Sequence, residues 1–284
     1  MSEPAGGLAL VRVPVAPVHG EPRVSSAQVT QTLFGRVVWW SGRAGDWYRV
    51  RTTPDGYEGW AHAGYLLVVD APEAAELREL QAAADAFDAE APGTVGVDLR
   101  AGGQRMSLGC VARVGGRTLR LPLGAWLGPD AVLLEGEAVP MGELPARFRP
   151  DGAAVVRTAA RYFASTSYQW GGVTPWGADC SGFVQAVLAL HGVDLPRDAS
   201  QQVAGGRDAG ADLAAHQAGD LLFFSERDDG RVTHVGLAAG AGRMLHVALG
   251  RGGFADDDLA AGDDAYVAAL RGRFVGARRV LGPG

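Results

Sequence analysis

The chain contains no lysine: all 26 of its basic residues are arginine, against 32 acidic residues, for a formal charge of -6. A basic footprint for nucleic acid is therefore missing. It has only two cysteines, Cys110 and Cys180, too few for a disulfide framework and in keeping with a reducing compartment; a single bridge between them stays open on counting alone. No apolar run approaches the roughly 18 residues of a membrane span. The first ten residues lack a basic start followed by an apolar core, so a secretory leader is not expected and a cytoplasmic location is. The 42 glycines and 15 prolines make up a fifth of the 284 residues, short of the roughly one quarter at which composition implies disorder. What is present, 47% hydrophobic residues, suffices for folded cores in about two domains or more.

Residues 8–70 carry short apolar runs with aromatic and β-branched content, broken by Ser41-Gly42, Ala44-Gly45-Asp46 and Pro54-Asp55-Gly56. That pattern predicts a small β-barrel over 1–70. Over 71–93 Leu77, Leu80, Ala84 and Phe87 recur at three and four before Pro92-Gly93, which predicts an amphipathic connecting helix. Short runs broken by Gly102-Gly103, Gly115-Gly116 and Gly128-Pro129 predict a second small β unit over 94–145. From 146 to 284 two helices come first: 153–163, with Asp151 as its expected N-cap, and 181–191, with Cys180 at its first turn. Strand-like segments at 220–224, 232–238, 244–249 and 274–280 follow, joined by loops rich in glycine and aspartate, and the result is an α+β domain.

A cysteine thiol is a weak nucleophile until its pKa falls, and a helix N-terminus with a nearby imidazole lowers it. Cys180, in Asp179-Cys180-Ser181-Gly182, meets the first condition, and amides of the same turn could bind an oxyanion. His234 lies in the apolar run Val232-Thr233-His234-Val235-Gly236, and His246 follows twelve residues on. Adjacent strands of a hairpin would put the two imidazoles side by side, one as base and one orienting it. The plain alternative is a buried thiol and two strand histidines with satisfied hydrogen bonds. Without Cys-x-x-Cys or His-x-x-x-His spacing no metal site is expected, and without Gly-x-Ser-x-Gly no serine nucleophile is.

Taken in order, Tyr168-Gln169-Trp170-Gly171-Gly172, Asp179-Cys180-Ser181-Gly182-Phe183-Val184-Gln185, Leu195-Pro196-Arg197-Asp198 with Gln202, Gly219-Asp220-Leu221-Leu222-Phe223-Phe224 and Thr233-His234-Val235-Gly236 closely resemble the NlpC-type cysteine peptidases. These are papain-like enzymes that cut bacterial cell-wall peptides. Upstream, Thr30-Gln31-Thr32-Leu33-Phe34-Gly35, Gly45-Asp46-Trp47 and Gly56-Tyr57-Glu58-Gly59-Trp60 look like the first bacterial SH3-like barrel of the YkfC-like branch, the γ-D-glutamyl-L-diamino-acid endopeptidases. The resemblance implies a papain-like catalytic domain preceded by two all-β SH3-like barrels, the first bordering the active site, with no cofactor.

It also implies roles. Cys180 is the nucleophile, His234 the base and His246 the orienting third member. Tyr168 assists the oxyanion site, Trp170, Asp179 and Ser181 shape the cleft for a D-glutamyl unit, and Tyr57 helps close the pocket. Arg197 and Asp198 border the amino-terminal end of the substrate, an L-Ala-γ-D-Glu-L-diamino-acid peptide. Where many wall-cutting members carry Pro-Arg-Thr-Ser, this chain has Pro196-Arg197-Asp198-Ala199, and a carboxylate there can pair with a free ammonium. Some members carry a glutamate just before the Thr-Gln pair as a second partner for that amine; here the residue is Val29.

Two other readings stand beside this one: a hydrolase or amidase of the intact wall using the same triad, and a wall-peptide binding module in which the barrels do the recognition. The tryptophans Trp39, Trp40, Trp47 and Trp60 are expected in the barrel core or rim, Cys110 as a buried thiol, and the acidic stretch Asp256-Asp257-Asp258 with Asp263-Asp264 as a solvated loop.

Overall fold

The structure, a computed structural model, describes residues 6–69, 103–261 and 263–282. The chain divides into two compact units, Met1–Leu144 and Pro145–Gly284. The helix expected over 71–93 lies outside the described residues.

In the first unit the short runs become seven strands: β1 (Gly7–Val11), β2 (Val15–His19), β3 (Gln28–Leu33), β4 (Val37–Ala44), β5 (Trp47–Thr52), β6 (Glu58–His62) and β7 (Leu66–Val68). They pair in the order β3-β2-β6-β5-β4-β1-β7, an open SH3-like sheet and not a closed ring. Period-two alternation sends Ala9, Val11, Ala16, Val18, Val38, Val50, Ala61 and Leu66 into one core, with Trp40, Tyr48 and Tyr65 packed against it. Trp47 is buried, with the rings of His19 and His62 edge-on at 5.3 Å on either side.

Next come β8 (Arg105–Val114), β9 (Arg117–Leu127) and β10 (Val132–Pro140), an antiparallel sheet in the order β10-β8-β9. Gly115 and Gly116 both have positive φ, +52° and +78°, the conformation a two-residue hairpin turn demands and glycine adopts without strain. The β8–β9 hairpin docks on the β3–β4 turn: the Trp126 N–H donates to the Phe34 carbonyl at 2.8 Å, and the Arg36 guanidinium stacks on the Trp126 ring at 4.2 Å. Of the second barrel expected over 94–145, these three strands are the part that the described residues contain.

In the second unit Asp151 caps α1 (Gly152–Phe163) by accepting from the Ala154 N–H at 2.8 Å, as its position predicts. A two-strand turn, β11 (Val173–Thr174) and β12 (Gly177–Ala178), leads into α2 (Cys180–Leu190), and the single turn α3 (Ala199–Gln202) follows. A six-stranded antiparallel sheet holds the rest: β13 (Arg207–Asp208), β14 (Leu221–Phe224), β15 (His234–Gly240), β16 (Arg243–Ala248), β17 (Gly253–Asp258) and β18 (Phe274–Arg279), in the order β13-β18-β14-β15-β16-β17. Between β17 and β18 lies α4 (Ala265–Arg271), whose Val267 and Leu270 pack on Leu222, Phe224, Ala238 and Met244. Phe183 of α2 meets Phe163 of α1 edge to face at 5.1 Å; burying such a ring contributes about 1.5–3 kcal/mol. Asp220 is buried and holds Arg279 of β18 through both carboxylate oxygens at 2.7 Å, so the Gly219-Asp220 motif ties two strands together.

One expectation is corrected. The stretch 256–258 is not a solvated loop: it belongs to edge strand β17, where Asp256 and Asp258 are exposed and Asp257 is buried.

Candidate active site

Cys180 opens α2, and its turn is assembled by Asp179. One carboxylate oxygen of Asp179 accepts from the Gly182 N–H at 2.8 Å, the Ser181 hydroxyl at 3.2 Å and Arg197 Nη1 at 3.0 Å; the other accepts from the Gly171 N–H at 2.8 Å and Arg197 Nη2 at 2.6 Å. Arg197 is 1% exposed. Its guanidinium points inward and locks the turn that carries Cys180, because a buried carboxylate needs a buried partner. Gln202 is likewise buried and donates to the carbonyls of Ser181 and Pro196. Gly182 is required where it stands, since a Cβ there would overlap the Gly172 carbonyl oxygen.

The Cys180 thiol is buried, and burial pushes its pKa up to about 11, with the Asp179 carboxylate adding to the rise; N–H groups of Val235 and Ser181 at the sulfur, and the Arg197 charge, act the other way. The contact with Val235 places the thiol against β15 at the residue after His234. His234 Nε2 lies 2.8 Å from His246 Nδ1, the two rings nearly perpendicular. Burial, and then the neighbouring His246, lower the His234 pKa to about 3. Both shifts favour the uncharged forms, a thiol and an unprotonated imidazole. The expected helix-terminus stabilisation of a thiolate is outweighed by desolvation.

Tyr168 stands beside this centre. Its backbone bridges Ala178, two residues before Cys180, and burial together with the Cys180 and Asp179 charges raises its phenol to about 12. Trp170 is 66% exposed, Ser181 is buried within the Asp179–Arg197 network, and Asp198 is half-buried at the head of α3. Tyr57 lies in the first unit on the turn into β6, its N–H on the Thr52 hydroxyl at 3.1 Å. Both cysteines are free thiols, which closes the alternative of a bridge.

Sequence reasoning missed Asp257. Its carboxylate accepts from His246 Nε2 at 2.9 Å and from Arg251 at 3.1 and 2.8 Å. Three identical residues in a row conceal the alternation that buries the middle one. The signal was available in the register, since a strand beside β16 puts every second residue on the face that carries His246.

Comparison with known proteins agrees with this arrangement. Residues 165–262 match the NlpC/P60 family model, and residues 14–66 match a bacterial SH3 domain. Over 225 residues the chain is 31% identical to the gamma-D-glutamyl-L-lysine dipeptidyl-peptidase of Bacillus subtilis, spanning 76% of this chain and 71% of that one. The chain belongs to the NlpC/P60 family.

A dipeptidyl-peptidase of the same name from Bacillus cereus is 37% identical over 87 residues, 30% of this chain and 26% of that one. The crystal structure of an NlpC/P60 family protein from Bacillus cereus superposes with a TM-score of 0.68 at 20% identity, covering 97% of this chain and 100% of that one. As an NlpC/P60 member with this fold, the protein is a cysteine endopeptidase with an SH3-like unit ahead of a papain-like one. Among the described residues no helix is long and apolar enough to cross a membrane.

Proposed function

We propose that this NlpC/P60 protein hydrolyses the bond between γ-D-glutamate and an L-diamino acid in short peptidoglycan peptides. The observation that carries the reading is the 2.8 Å contact between His234 on β15 and His246 on β16, with the Cys180 sulfur against β15 at Val235. The similarity to a relative named for cleaving γ-D-glutamyl-L-lysine supports the substrate class.

Because burial favours the uncharged forms of thiol and imidazole, proton transfer accompanies attack. The Cys180 proton passes to His234 as sulfur bonds to the γ-carbonyl carbon, and the oxyanion is held by the Cys180 N–H at the start of α2, with Tyr168 assisting. His234 then gives that proton to the departing amine as the C–N bond breaks, and water hydrolyses the thioester. His246 orients His234. Asp179, Ser181 and Arg197 position the nucleophile's turn from beneath, while Trp170 and Asp198 face the substrate, Asp198 pairing with the free ammonium of an N-terminal L-alanine. A substrate recognised by a free amine is a released peptide, so the reaction belongs to recycling of wall peptides inside the cell.

The test is mass spectrometry of L-Ala-γ-D-Glu-L-diamino-acid tripeptides, with free and N-acetylated alanine, incubated with the protein and with Cys180→Ala. Cleavage of the free form only, abolished by the substitution, is expected. Equal cleavage of both forms would replace the reading with a hydrolase of the intact wall, and binding without cleavage would replace it with a recognition module. Fractionation of cells placing most of the native protein outside the membrane would overturn the intracellular role.

A further inference from the structure

The hydrogen-bonded line from His234 does not end at His246. In the register of β15 and β16, Leu237 faces Leu245 and Ala238 faces Met244, so Gly236 lies across from His246 and His234 two residues further on. In β16 and β17, His246 faces Ala255, with Asp257 two residues beyond. His234, His246 and Asp257 therefore occupy one face of three neighbouring strands as successive diagonal neighbours, a spacing that long side chains bridge. Asp257 is in turn gripped by Arg251, which also reaches Asp264 at 2.5 Å. Asp264 caps α4 through the N–H groups of Tyr266 and Val267. Burial opposes ionisation of Asp257, yet the bonds from His246 and Arg251 hold its carboxyl below the usual range.

This line has a direction. An ionised carboxylate only accepts, so the 2.9 Å contact requires His246 to carry its proton on Nε2. A neutral imidazole with a proton on Nε2 has a bare Nδ1, which must accept from His234. His234 then carries its own proton on Nε2, and its Nδ1 is left bare. We infer that Asp257 is a positioning residue that sets the tautomers of both histidines, keeping His234 Nδ1 free to take the thiol proton. The inference rests on the proposed reaction. When Nδ1 receives that proton, the Nε2 proton of His234 stays on its bond to His246 and that of His246 on its bond to Asp257; no proton moves onto the carboxylate. Without the carboxylate, His246 is free to place its proton on Nδ1, which forces His234 to accept at Nε2 and blocks Nδ1 with a proton.

The experiment is nitrogen-15 NMR of the histidine-labelled full chain, together with steady-state cleavage of the free-amine tripeptide, for the parent and Asp257→Asn. The parent is expected to show His234 and His246 both protonated on Nε2. Asp257→Asn is expected to move protons to Nδ1 and to lower kcat by about a hundredfold or more, with KM within about threefold. A parent with either histidine protonated on Nδ1 overturns the inference, and this measurement needs no variant and no activity. A folded Asp257→Asn protein that keeps both tautomers overturns it too, whatever its kcat, because the carboxylate would then serve only to anchor Arg251. A parent that cleaves no tripeptide would refute the proposed function instead, leaving the tautomer measurement to stand by itself.

Discussion

Arg197 and Asp179, eighteen residues apart in the chain, form a buried ion pair with 2.6 Å between Nη2 and Oδ2 directly beneath the turn that carries Cys180. The same carboxylate caps the helix that Cys180 opens. The local stability of the site and its geometry therefore both draw on the Asp179 carboxylate.

Removing one partner of such a pair leaves an uncompensated buried charge. Arg197→Met is expected to cost about 3–5 kcal/mol in urea unfolding, and the double variant with Asp179→Asn less than the two single losses added together. A loss below about 1 kcal/mol for Arg197→Met would show that the pair does not hold the turn.

The thiol prediction concerns pH. With the Cys180 pKa raised to about 11 and that of His234 lowered to about 3, thiolate absorbance at 240 nm, measured against Cys180→Ala, is expected to show no step between pH 4 and 9. A step in that range would mean a thiolate–imidazolium pair at rest. For His234 the folded pKa lies below the unfolded one, so the unfolded chain binds more protons between them. Its contribution to stability is therefore complete above about pH 6.5 and is lost as pH falls toward 3.

Gly236 faces His246 across the β15–β16 pairing, and a Cβ there would overlap Met244 and stand 3.3 Å from the His246 Cβ. Gly236→Ala is expected to cost about 1–3 kcal/mol through overpacking and to lower kcat by displacing His246. Unchanged unfolding and turnover would mean that Met244 yields without moving the histidine.

Asp198 is the proposed reader of the substrate amine. A hydrogen bond to a charged group is worth about 1.5–3 kcal/mol, so Asp198→Asn is expected to reduce the preference for free over N-acetylated alanine by about ten- to a hundredfold in kcat/KM. An unchanged ratio would assign the selectivity elsewhere.

Local chemistry carried much of this protein in plain view. Gly115-Gly116 specified a turn because only glycine takes two positive φ angles in succession without strain. Asp151 announced a helix start, and the order of the Asp179-Cys180-Ser181, Thr233-His234 and His246 segments announced a thiol at a helix start and two imidazoles on neighbouring strands. Each of these rests on interactions within a few residues. The strand over 253–258 and the helix over 265–271 were hidden, since aspartates at consecutive positions erase the alternation by which a strand is recognised.

The sequence by itself thus determined the α+β class, the two cysteines' want of a disulfide framework and the identity of the residues beside the thiol. Tertiary structure alone decided that Arg197 turns inward, that burial raises the pKa of the thiol and that His246 leans on Asp257. The reason is physical: desolvation and the diagonal neighbours of a sheet are sums over groups far apart in the chain, which no local pattern records.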